Sequence, residues 1–250
     1  MIVLNDVAKK YDNNFNSTYV LQDLYLHIKK GELVCILGKS GCGKSTLLNL
    51  LAGYMKADRG EIYVDGELVK GPSKSRGVVF QEHALFPWYT VYQNIVFGPK
   101  ITKLPEPDKI AEKYLKMIGL EEYKDYYPSQ LSGGMKQRVG IARAFANNPK
   151  ILLMDEPFSA LDPNTRQKMR TELLKIWEKS GTTIVFITHD VSEAVYLGSR
   201  VVMLGEGHIK VDQEINLEGE RDIHSEEFIR YVQLFEQEMN GKEKKACRHF

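Results

Sequence analysis

The sequence predicts an α/β fold: a sheet with parallel strands at its centre, helices alternating with those strands, and one helical insertion. Three observations predict it. Short apolar, β-branched runs recur along the chain, helical patterns fall between them, and the strand signal stops between roughly Pro87 and Asn148.

Taken in order, the runs are "ELVCILG", "EIYVDG", "RGVVFQ", "KILLMDEP", "TTIVFITHD" and "RVVMLGEG". Several are nearly continuous in hydrophobicity, as expected of strands covered on both faces. Helical patterns occupy Lys44 to Ala52, Asn164 to Lys179 and Val191 to Leu197, and this alternation argues for a parallel-centred sheet. In the inserted segment, "PDKIAEKYLKMIGL" puts Ile110, Tyr114, Leu115 and Ile118 on one helical face, and Gly119 supplies a stop. A last amphipathic helix carries Phe228, Tyr231, Val232, Phe235 and Met239, followed by a basic tail expected to be frayed. The domain boundaries read from this pattern are 1–220 for the main domain, with the helical subdomain at about 87–148, and 221–250 for the helix and tail.

With 43% hydrophobic and 27% charged residues over 250 positions, the chain has the composition of a globular protein. Its 34 basic and 33 acidic residues give a net charge of +1, so there is no bulk electrostatic case for nucleic acid as a partner. Cys35, Cys42 and Cys247 are odd in number and lack metal-type spacing, which points to a reducing, cytosolic location. "MIVLNDVAKKYD" is too short in apolar residues for a signal peptide, and no run approaches the roughly 18 apolar residues of a membrane span. A soluble chain is expected.

"GKSGCGKS" satisfies G-x-x-x-x-G-K-[ST], with an apolar strand before it and a helix after it. Gly38, Gly41 and Gly43 let the backbone curl so that successive N–H groups face phosphate oxygens. Lys44 would reach the β and γ phosphates, and Ser45 would hold Mg²⁺. The loop residues Lys39, Ser40 and Cys42, and Thr46 beyond it, complete the nucleotide-binding stretch. Beside Lys44 and a helix N-terminus, the Cys42 thiol is expected to be reactive; the plainer reading is a small side chain that fits the loop.

A phosphate loop needs a metal-side carboxylate at the end of another buried strand, and "ILLMDEP" offers Asp155 for Mg²⁺. Glu156, one residue on, would accept a proton from an attacking water. Gln81 and His189 close two further strands. Each reads either as a polar cap at the sheet edge or as a site residue, and their position at strand C-termini favours the site. "LSGGMKQR" raises a separate question, because its helix start is a second place for an anion in a chain that already has one.

The phosphate loop, Gln81, "LSGGMKQR", "LLMDEP", "SALD" and His189 together resemble the ATP-binding-cassette (ABC) ATPases, in their order and over about Ile2 to Gly207. The resemblance implies a P-loop NTPase (RecA-like) core with a mixed, mainly parallel sheet. It adds an N-terminal antiparallel β part and the inserted helical subdomain. It also assigns residues to roles: Tyr11 stacks on adenine, and Gln81 senses the metal and attacking water and links the site to the helical subdomain. His189 holds the γ-phosphate and positions water against Glu156, and Asp162 signals across a subunit boundary. It answers the question about the second helix start as well. Ser132, Gly133 and Gly134 serve the ATP of a second copy, so that two ATP molecules lie between head-to-tail subunits.

The same resemblance implies that "QEHALFPWYTVYQNIVFG" docks a separate transmembrane permease at the cytoplasmic face of the cell membrane; the plainer reading of its aromatics is the core of the helical subdomain. "VKGPSKSRGVVFQEHALFPWYTVYQNIVFG" and "SEEFIRYVQLFEQEM" look like the ATPase subunits of nitrate/sulfonate/taurine-type importers, which work with an extracytoplasmic substrate-binding protein. Ser159 departs from that group, where glycine is more usual. From the length of the sequence, no regulatory β-domain of the sugar-importer kind is expected. No N-K-x-D motif reads guanine, and no long coiled-coil insertion of the DNA-repair type is present. The other reading is a non-transport cassette acting as a regulatory or assembly ATPase.

Overall fold

In the computed structural model, residues 1–13, 16–81, 84–217 and 221–241 are described. Cys35 and Cys42 fall among them, whereas Cys247 and the basic tail lie outside the described residues.

The chain opens with two long strands, β1 (Ile2–Asn13) and β2 (Asn16–Ile28), paired antiparallel. Then come β3 (Leu33–Leu37), α1 (Lys44–Ala52), β4 (Arg59–Val64), β5 (Glu67–Leu68) and β6 (Arg76–Val79). Between 87 and 148 the described elements are all helical: α2 (Val91–Ile101), α3 (Pro107–Ile118), two short 3-10 turns and α4 (Gly133–Ala146). The chain returns through β7 (Ile151–Asp155), α5 (Pro163–Ser180), β8 (Thr183–Thr188), α6 (Val191–Leu197), β9 (Arg200–Gly205) and β10 (His208–Glu214). The last described element is α7 (Glu226–Met239).

Two sheets result. The smaller has the order β2-β1-β4-β5 and is antiparallel; the larger has the order β10-β9-β3-β8-β7-β6. Within the larger sheet, β9, β3, β8, β7 and β6 run parallel, and β10 joins β9 antiparallel. The mixed, mainly parallel sheet and the antiparallel N-terminal part agree with the expected fold.

Period-two alternation explains why the central runs read as continuously apolar. Leu33, Cys35 and Leu37 enter one core, and Val34 and Ile36 enter the other. Ile184 and Phe186 divide from Val185 and Ile187 in the same way. One core lies under α1 and the smaller sheet; the other lies under the helical segment and α6 and α7. Truncating Phe186, which is fully buried, would cost about 3–5 kcal/mol. Phe228, Tyr231 and Phe235 of α7 join this second core.

Candidate nucleotide site

The site collects where parallel strands end. The loop after β3 turns into α1 through Gly43, at φ 103°, a conformation that glycine adopts without strain. A Cβ there would come within 2.6 Å of Leu21 Cδ2. Gly38 is equally confined, since a Cβ would meet Cys42 Sγ and the Leu204 carbonyl, both at 2.6 Å. No side chain caps α1, so its first N–H groups remain available to an anion. By contrast Ser132, Asp162, Asp190 and Ser225 each cap their own helices. Lys44 is buried and donates to the carbonyls of Gly38 (2.7 Å) and Lys39 (3.0 Å), which holds its ammonium over the loop.

The Ser45 hydroxyl lies beside the Asp155 carboxyl. Burial raises the Asp155 pKa and the charge of Glu156 adds to the rise, while the Ser45 hydroxyl and Lys44 oppose it. Among the described residues there is no cluster of three or more His, Cys, Asp or Glu side chains suited to a metal. A hydroxyl beside a half-buried carboxylate nevertheless fits a hard divalent cation that takes its remaining oxygens from phosphate and water.

Glu156 follows in a left-handed conformation, φ 43°, which is strained for a side chain of this size. Its N–H donates to Ile187 O (3.0 Å), tying the end of β7 to β8. Its Oε2 lies 3.0 Å from Nδ1 of His189, which follows β8. Tyr11 places its hydroxyl 3.5 Å from Thr46 Oγ1 and from Met55 Sδ, and the residue is 41% exposed. Gln81 is exposed just beyond β6.

The second helix start belongs to a different layer. Ser132 Oγ accepts from Met135 N (3.3 Å), and α4 packs on α2, α3 and β6, whereas α1 packs on β2, β6 and β7. A Cβ on Gly134 would lie 3.3 Å from Ala160 O, so this turn abuts the "SALD" loop of its own chain. Asp162 caps α5 by accepting from Thr165 N (3.0 Å), and its hydrogen bonds to the Thr165 side chain and backbone lower its pKa.

Sequence reasoning passed over several residues that matter here. Gln137, inside "LSGGMKQR", is buried and donates to Phe80 O (3.4 Å), connecting α4 to the segment that carries Gln81. Glu193, in the helix that follows His189, forms a largely buried ion pair with Arg170 of α5. Glutamate three residues after Asp190 at a helix start was the available signal for Glu193.

A family model described as ABC transporter matches residues 21–159. The nitrate import ATP-binding protein of Synechocystis sp. is 42% identical, over 96% of this chain and 95% of its own. The taurine import ATP-binding protein of Roseobacter denitrificans is also 42% identical, over 86% of this chain and 81% of its own. Among solved structures, a dimeric ATP-binding cassette in a post-hydrolysis state with ADP and Pi matches with TM-score 0.80 and 38% identity. That match covers 87% of this chain and 100% of the other.

Proposed function

The chain belongs to the ABC transporter family and is the ATP-hydrolysing subunit of an importer; from that premise we propose that two copies close head to tail over two ATP molecules and drive solute uptake through a separate permease. The observation that carries the proposal is the convergence at the strand ends: Ser45 on Asp155, and Glu156 on His189, beside the uncapped start of α1.

In this reading the loop from Gly38 to Thr46 binds the phosphates, Lys44 turns its ammonium to the β and γ groups, and Tyr11 stacks on the adenine. Ser45 and Asp155, with Gln81, hold Mg²⁺, which when bound neutralises charge on the phosphates. Glu156 accepts the proton of the attacking water, and His189 orients that water and the γ-phosphate. Ser132, Gly133 and Gly134 of each copy complete the site of the other, and Asp162 reports across the boundary. Loss of the γ-phosphate removes the bridge and the copies part.

No helix among the described residues is long and apolar enough to cross a membrane. In this reading the membrane-spanning part is supplied by partner chains. Trp88 is 66% exposed and packs against Phe86 and Tyr89, with Phe97 completing the cluster. This aromatic patch supports docking of a permease at the cytoplasmic face, with an extracytoplasmic binding protein delivering a nitrate-, sulfonate- or taurine-like solute. Affinity purification from membranes tests the proposal. A permease should copurify, and ATP should convert the isolated chain from monomer to dimer in light scattering; a chain that recovers no membrane partner and hydrolyses ATP as a monomer overturns it.

A further inference from the structure

His189 sits between two residues that are both locked by a buried network. Thr188 Oγ1 donates to Glu193 Oε2 (2.6 Å) and accepts from the backbone N–H of Asp190 (3.0 Å). Asp190 Oδ1 accepts from Glu193 N (2.9 Å), which starts α6. Arg170, reaching across from α5, donates to Glu193 Oε1 through Nε (3.2 Å) and Nη2 (3.1 Å). Glu193 and Thr188 are 5% and 2% exposed. Both line a small cavity together with Glu156 and His189, and the network fastens both backbone neighbours of an exposed histidine.

We propose that Glu193, held by Arg170 and Thr188, is a positioning residue that fixes the His189 turn so that the imidazole faces Glu156. A carboxylate suits this task because it accepts from a hydroxyl and a guanidinium at once. Arg170 lies on the helix that follows the "SALD" loop, so the clamp also anchors the turn to that element. The proposal rests on the reading of His189 and Glu156 as the groups that act on the attacking water.

The test uses the isolated chain with ATP and Mg²⁺ and compares Glu193→Gln, Thr188→Val and His189→Ala, alone and combined. Thr188→Val removes one hydroxyl with little change in shape, so it remains informative where Glu193→Gln fails to fold. Each of the two positioning variants is expected to lower kcat by about 10- to 100-fold with ATP affinity unchanged. In the His189→Ala background neither should lower kcat further. Additive losses in that background, or unchanged kcat in Thr188→Val, overturn the clamp. Full turnover in His189→Ala alone instead overturns the reading of the site on which the clamp rests.

Discussion

His189 Nδ1 and Glu156 Oε2 lie 3.0 Å apart, across the ends of two adjacent parallel strands. Glu156 is held there by a strained backbone and by its N–H on Ile187 O, so the contact is set by the sheet rather than by a loose side chain. Glu156→Gln keeps the shape and removes the base. Turnover should fall by about 10²- to 10⁴-fold, while ATP still produces a dimer in size-exclusion chromatography with light scattering. A variant that stays monomeric with ATP argues against the assignment.

Ser132 caps α4 in its own chain and, in the proposed dimer, also serves the other copy's ATP. The two roles are separable. Replacement by alanine would cost about 1 kcal/mol of stability through the lost cap, which mixes the two effects. Ser132→Asn keeps a capping oxygen and adds bulk to the turn. Each chain should still bind ATP, with dimer formation and turnover both lost; normal dimerisation and turnover would refute the composite site.

The central strands were legible because burial on both faces leaves no polar alternation: every residue from Leu33 to Leu37 is buried. α6 was legible to its end residues, since Asp190 caps it and the apolar stretch stops at Gly198. The N-terminal strands were reached only through the family resemblance. Bulges interrupt the register of β1 between Leu4 and Lys10, which breaks the alternation that would announce a strand. β10 was missed because its residues are half-buried at most, at the edge of the sheet. In the site, motif residues were visible one by one, but the pairing of Arg170 with Glu193 spans 23 positions and only the fold brings it about.

Trp88 tests the membrane-facing surface. Its exposure and its ring contacts with Phe86 and Tyr89 make it the outermost part of the aromatic cluster, away from the core. Trp88→Ala should leave ATP binding near normal and weaken recruitment to membranes containing the permease. Unchanged recruitment in a flotation assay would count against this patch as the dock.

Cys42 is partly buried within the phosphate loop, and its sulfur lies 2.6 Å from where a Cβ on Gly38 would be. Cys42 also lines a cavity of about 370 Å³ beside the loop, so an added alkyl group would sit directly against the phosphate-binding turn. Alkylation is expected to block hydrolysis, with prior ATP binding giving protection. Complete labelling of Cys42, verified by mass spectrometry, with full activity would contradict this.

Asp155 links activity to stability. Burial, its largest influence, raises its pKa above the ordinary carboxylate value. A carboxyl raised in the folded state favours folding when protonated, and this contribution is lost as pH rises through the folded pKa. At neutral pH the nucleotide-free protein therefore carries a half-buried charge that it would be more stable without. Asp155→Asn should raise the Tm of the nucleotide-free chain at pH 7, by about 2–4 °C for each kcal/mol relieved, and the gain should shrink as pH falls toward about 4. With ATP and Mg²⁺ the order should reverse, because only the carboxylate gains stability from the ion. A lower Tm for the variant at pH 7 without nucleotide would mean that Lys44 and the Ser45 hydroxyl outweigh the burial of this charge.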